Sequence, residues 1–146
     1  MIIKATVDDH AEIIDLWERS VRATHLFLPE DYLQQIKAML PSILPHVDIY
    51  IDRNAKNELT GFLGVAENKI EMLFIHPVSF GSGIGKAFIE FAIKELHADK
   101  VDVNEQNEQA VGFYKHVGFV VTGRTETDGL GKPFPLLRME FKDSKT

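Results

Sequence analysis

Between Glu71 and Lys86 the chain passes from an apolar run through a proline into alternating glycines, and few folds accommodate that passage. Glu71-Met72-Leu73-Phe74-Ile75-His76-Pro77 reads as a buried strand followed by a break. Phe80-Gly81-Ser82-Gly83-Ile84-Gly85-Lys86 reads as a loop that opens an amphipathic helix. Glycines on alternate positions strip side chains from the loop, so its backbone N–H groups can approach a partner closely. The first turn of the helix adds N–H groups without intrahelical acceptors and a partial positive charge, which favour phosphate. On the glycines alone two readings stand: a pyrophosphate cradle, or a tight turn that needs glycine for its dihedral angles.

Two familiar phosphate loops do not fit. A P-loop needs a glycine five residues before its final Gly-Lys and a Ser or Thr after it. Phe80 and Ala87 occupy those places, so no hydroxyl is available for a magnesium ion. A dinucleotide fold needs G-x-G-x-x-G directly after a strand. Here the spacing is G-x-G-x-G, and His76 to Phe80 intervene. Asp99 and Asp102 lie at a suitable distance for a ribose-binding acid, but the antiparallel run upstream does not match that fold.

The rest of the chain bounds the setting. Its 146 residues suit one domain with a continuous core, residues 1–146. A net charge of −6 argues against a nucleic-acid partner, because phosphate backbones demand a basic face. The absence of cysteine excludes disulfides, thiolate metal sites and a cysteine nucleophile. No metal site is expected. No signal peptide is visible at Met1-Ile2-Ile3-Lys4, and no segment approaches the ~20 apolar residues of a membrane span. The expectation is a cytoplasmic enzyme or binding protein without a membrane partner, monomeric or homodimeric.

Periodicity orders the elements. Ile2 to Ala5 suits an edge strand; Ile13, Ile14, Trp17 and Val21 recur at helical spacing behind Asp8 or Asp9, up to Thr24. Glu30 to Leu40 predicts a second helix, with Pro41 and Pro45 punctuating the connection to the next strand. Val47–Asp52, Thr60–Ala66 and Lys69–Ile75 predict three antiparallel strands. Ile84, Ala87, Phe88, Phe91, Ala92 and Leu96 form a helical stripe. Val101–Val103 should lie parallel to Lys69–Ile75 by a right-handed crossover. A helix over Glu108–His116, strands over Phe119–Thr127 and Leu136–Phe141, and a frayed tail over Lys142–Thr146 complete the chain. The fold class is α/β (mixed α+β): a largely antiparallel mixed sheet of about seven strands with helices on both faces.

A second motif narrows the reading. Asn107-Glu108-Gln109-Ala110-Val111-Gly112-Phe113-Tyr114, then Gly118-Phe119, follows the glycine loop by about twenty residues. Together with G-x-G-I-G, this resembles the GCN5-related N-acetyltransferase (GNAT) family over essentially the whole chain. Arg19-Ser20-Val21-Arg22-Ala23-Thr24-His25, Asn104-Glu105-Gln106-Asn107 and Gly131-Lys132-Pro133 resemble small bacterial members of it. The resemblance implies a sheet splayed between its central strands, with acetyl-coenzyme A as co-substrate and a small-molecule or protein amine as acceptor. It places the pantetheine arm against backbone groups of Leu73, Phe74 and Ile75. It places the pyrophosphate on N–H groups of Gly81, Ser82, Gly83, Ile84, Gly85 and Lys86, with Asn107 a further contact. One departure is Phe80, where the family usually carries Arg or Gln, so phosphate recognition falls to backbone groups.

The resemblance also implies a chemistry. Tyr114 matches the family tyrosine near the cofactor sulfur; an ordinary phenol, with a pKa of about 10, suits protonation of a departing thiolate. Glu71 is the first candidate for general base, on the face that simple alternation gives Leu73 and Ile75, and Asp102 is the second. His76 and His25 offer imidazoles, and ordered water is a further route. His25 and Phe27, in the loop joining the first two helices, are expected to line the acceptor pocket together with the loop around Leu130–Pro135. The alternative function is a non-catalytic acyl-coenzyme A-binding or partner-binding module on the same fold.

Overall fold

The computed structural model describes residues 1–142; residues 143–146, within the expected tail, lie outside the described residues. Strand β1 (Ile3–Lys4) leads to helix α1 (His10–Thr24) and helix α2 (Glu30–Ile43). The meander β2 (Asp48–Arg53), β3 (Leu59–Ala66) and β4 (Lys69–Ile75) comes next. Then come α3 (Ile84–Leu96), β5 (Lys100–Asn104), α4 (Glu108–His116), β6 (Phe119–Thr125) and β7 (Leu136–Phe141). The element order is the one periodicity predicts. Helix α2 departs from its expected end: it continues through Pro41. Burial of Leu40 and Leu44 on either side (4% and 1% exposed) offsets the hydrogen bond that proline cannot donate.

The seven strands form one sheet in the order β1-β2-β3-β4-β5-β7-β6. All neighbours are antiparallel except β4 and β5, which run parallel across the α3 crossover. Strand alternation divides the core in two. Leu63, Val65, Ile70, Val101, Val103 and Met139 pack beneath Phe88, Ile89 and Ala92 of α3 and Tyr114 of α4. On the other face Ile49, Ile51 and Phe62 pack beneath Ile13, Leu16, Trp17 and Val21 of α1 and Leu33 and Leu40 of α2. Each helix pair thus covers one face of the sheet.

Surface ion pairs fix the α1–α2 corner. Arg22 forks onto Glu30 at 2.7 and 2.8 Å and also holds Glu18, which accepts from Lys37 at 2.6 Å. This ties the end of α1 to α2 and defines the position of the intervening loop, residues 25–29. Among the described residues no helix is long and apolar enough to cross a membrane.

Candidate active site

The site is a consequence of a bulge. Gly64 pairs with Met72 and Val65 with Ile70, so Glu71 is the extra residue of β4. A bulge bends its strand and sharpens the local twist. Pairing between β4 and β5 stops at the same point: Lys69 faces Lys100, Ile70 faces Val101, and no later rung forms. From Glu71 onward β4 and β5 diverge.

The parted strand leaves particular groups free. His76 N–H donates to the Thr60 carbonyl at 2.8 Å, continuing the β3–β4 ladder. Antiparallel pairing alternates, so Phe62/Phe74 is hydrogen-bonded as well, whereas Leu63/Leu73 and Gly61/Ile75 are not. The N–H and C=O groups of Leu73 and Ile75 therefore face the gap. The backbone of Phe74 faces β3 instead, and Phe74 lines the cleft with its side chain.

A cleft of about 520 Å³ occupies this gap, lined by Leu73, Phe74 and Ile75, the loop from Ser79 to Lys86, Ser20, Thr24 and His25 of the α1 end, and Asn107, Phe113 and Tyr114 of α4. At its loop end, Gly81 and Gly83 have φ of 79° and 88°, which L side chains adopt only at a cost. A Cβ at either position would meet nothing within 4 Å, so the space over the loop is open. Gly85 is different: its Cβ would lie 3.3 Å from the Phe113 ring, so here glycine permits close packing of α3 on α4. The amide of Ser82 donates to Ser79, whose carbonyl also takes the Ser82 hydroxyl. The N–H groups of Gly81, Gly83, Ile84, Gly85 and Lys86 have no protein acceptor among the described residues. Together with the free edge of β4, they suit an extended, amide-bearing ligand that ends in phosphates. Coenzyme A has that form.

Tyr114 also lines the cleft. Its ring packs edge-on against Phe113 and Phe119, both at 5.3 Å, and the residue is 6% exposed. Burial raises its pKa above the ordinary value, so the hydroxyl keeps its proton. It makes no side-chain hydrogen bond among the described residues. Asn107, 8% exposed, caps α4: its Oδ1 accepts the Ala110 N–H at 3.2 Å. Its Nδ2 lies 3.4 Å from His25 Nε2. Burial lowers the pKa of His25 from its usual 6.5 to about 4, so the ring is neutral at pH 7.

The two carboxylates expected as bases are placed elsewhere. Glu71 is exposed and is not among the residues lining the cleft. Simple alternation misplaces it because the bulge interrupts the pattern: Ile70, Leu73 and Ile75 all pack on the α3 side, and Met72 and Phe74 on the other. Asp102 turns to the α1–α2 face, where its Oδ2 accepts from Lys69 Nζ at 2.5 Å. It lines a separate hollow of about 230 Å³ with Thr125, Asp128, Leu136 and Arg138. His76 accepts the Val78 N–H within its own turn.

The two loops expected to line the acceptor pocket touch each other through aromatic rings. His25 lies against Phe27 at 5.4 Å and Phe74 at 6.4 Å, and Phe27 against Phe134 at 5.9 Å. Phe134 stacks on Tyr32 at 5.3 Å, and the Tyr32 hydroxyl donates to Asp128. Asp128 also accepts the N–H groups of Leu130 and Lys132, so one carboxylate shapes the β6–β7 loop and ties it to α2. The only forewarning was the aromatic and proline content of the two loops.

A sheet splayed at a bulge, a glycine loop beside it and a buried tyrosine thus line one cleft. The sequence matches the family description "Acetyltransferase (GNAT) domain" over residues 43–141, and the chain belongs to that family. It is an N-acetyltransferase; the family uses acetyl-coenzyme A to acetylate amines. Among similar proteins is the peptidyl-lysine N-acetyltransferase YjaB of Escherichia coli, 41% identical over 134 residues, spanning 92% of this chain and 91% of the relative. The solution structure of apo-form YjaB superposes with a TM-score of 0.90 at 39% identity, covering 99% of this chain and 98% of that one. The PaiA N-acetyltransferase of Thermoplasma acidophilum, solved in complex with coenzyme A, shares the fold: TM-score 0.72, 21% identity, 97% and 98% coverage.

Proposed function

We propose that the protein acetylates the side-chain amine of lysine in a protein, with acetyl-coenzyme A held in the gap between β4 and β5. The observation that carries this reading is the free edge of Leu73 and Ile75, which lines one cleft together with the open glycine loop and Tyr114. The choice of a protein lysine rests on similarity to YjaB, and the lining of the approach agrees with it. Phe27, Phe74, Phe134 and Tyr32 offer aromatic surface to the aliphatic stem of a lysine.

Bound acetyl-coenzyme A supplies the activated acetyl group. The backbone of Leu73 and Ile75 orients the pantetheine arm as an added strand. Loop N–H groups from Gly81 to Lys86 receive the pyrophosphate, and the Ser82 side chain serves the loop itself. An N–H on the gap side of β4, at Ile75, polarises the carbonyl. Tyr114 holds the proton that the departing sulfur takes; desolvation raises the basicity of that sulfur as it raises the phenol's. Neither Glu71 nor Asp102 lines the cleft, so water takes the first proton of the acceptor ammonium before attack, and the second, shed from nitrogen as the amide forms, restores the Tyr114 phenol.

Incubation with acetyl-coenzyme A and a lysine-containing peptide, followed by mass spectrometry, tests the reading. Acetyl on the lysine side chain supports it. Thiol release with free polyamines alone would transfer the assignment to a small amine, and no transfer to any amine would leave a binding module.

A further inference from the structure

The end of α1 carries a chain of hydrogen bonds that acetyl transfer as described does not use. The Thr24 hydroxyl donates to the Ser20 carbonyl at 2.8 Å. Its one proton is thereby engaged, so toward His25 Nδ1, also 2.8 Å away, it must accept. Nδ1 therefore bears the proton and Nε2 the lone pair. That lone pair faces the Asn107 carboxamide at 3.4 Å. The carboxamide has one good orientation, because Oδ1 already accepts from Ala110 N–H and a flip would set two donors face to face.

We propose that His25 is a positioning residue: as the neutral Nδ1–H tautomer it fixes the Asn107 carboxamide, leaving the second amide N–H of Asn107 for the ligand of the cleft. Both residues line that cleft. The inference rests on the assignment of coenzyme A to the cleft. The ring lies against Thr24 of α1, Phe27 of the loop, Phe74 of β4 and Asn107 at α4. None carries a charge, which is why burial alone governs the ring and holds its pKa near 4. A charged ring would present N–H donors to both the amide and the threonine, and the chain would break. His25 also touches Phe27, so the group that orients Asn107 on the cofactor side is part of the acceptor wall.

Nitrogen-15 NMR of the imidazole in the free protein reads the tautomer, and calorimetry with coenzyme A reads its consequence. The expected spectrum is a neutral ring with Nδ1–H, unchanged down to about pH 5. His25→Gln places an acceptor near Nε2 and should bind within about threefold of wild type, whereas His25→Asn, which reaches only as far as Nδ1, and His25→Ala should bind roughly tenfold or more weakly. Thermal melting of the same variants separates this from unfolding, since Gln and Asn differ little in bulk. An Nε2–H tautomer, or equal binding by the Gln and Asn variants, overturns the inference. Failure of the wild type to bind coenzyme A would instead overturn the cofactor assignment, and the tautomer would still decide the role of His25.

Discussion

Lys69 and Asp102 form a 2.5 Å ion pair between β4 and β5, one rung from the place where the two strands separate. The pair acts as a clamp at the neck of the splay, on the face opposite α3. Both side chains are about a third exposed, so the pair contributes modestly. Asp102→Asn should lower stability by about 1 kcal/mol or less and reduce transfer no more than severalfold. Urea denaturation and steady-state kinetics check this; a loss of kcat by orders of magnitude would make Asp102 the base.

Tyr114→Phe should separate chemistry from packing. The phenyl ring retains its edge contacts with Phe113 and Phe119, so the melting temperature should barely change. Loss of the hydroxyl removes the proton donor, and kcat should fall by roughly 10² or more with coenzyme A affinity preserved. Stopped-assay thiol detection beside calorimetry reads the two quantities independently.

The two ends of the glycine loop should respond differently. At Gly83 the positive φ makes Gly83→Ala cost about 1–2 kcal/mol of stability. Its methyl group would project into the open space over the loop, so coenzyme A binding should be lost or weakened at least tenfold. Phe80 is 41% exposed and offers no polar donor, so Phe80→Ala should leave affinity nearly unchanged. Titration calorimetry on both variants provides the comparison.

Acid should weaken the fold through His25. Its pKa falls from 6.5 in the unfolded chain to about 4 in the fold, so between these values the unfolded state binds the additional proton. Stability therefore rises with pH across that window, is fully present above it, and levels off below it, with an upper bound of about 3 kcal/mol. Glu30, held near 2 by hydrogen bonds from Arg22, adds a loss of the same sign at more acid pH. Urea melts of wild type and His25→Gln at neutral and mildly acid pH should show only the wild type losing the His25 contribution.

Much of the fold is encoded locally. The spacing from Asn107 to Tyr114 fixes a helix with both residues on the cleft, and the apolar run that stops at His76-Pro77 marks the strand Lys69–Ile75. The family resemblance supplied their roles. What was hidden depends on partners distant in sequence. The bulge at Glu71 arises from the register of β4 on Gly64 and Val65, so alternation within β4 could not reveal it. The insertion of β7 between β5 and β6 is set by which edges remain open, and no local signal encodes it. The hydrogen-bond chain through Thr24 and His25 to Asn107 joins residues 82 positions apart.

Amide hydrogen exchange at β4, resolved by residue, tests the central claim most directly. Phe74 is already paired with Phe62, so its N–H should be protected with or without ligand. The N–H groups of Leu73 and Ile75 face the gap and should exchange freely alone, then slow when coenzyme A is added. Protection confined to those two residues and the glycine loop is the predicted result. Unchanged exchange at Leu73 and Ile75 under saturating coenzyme A would contradict the placement of the cofactor along β4.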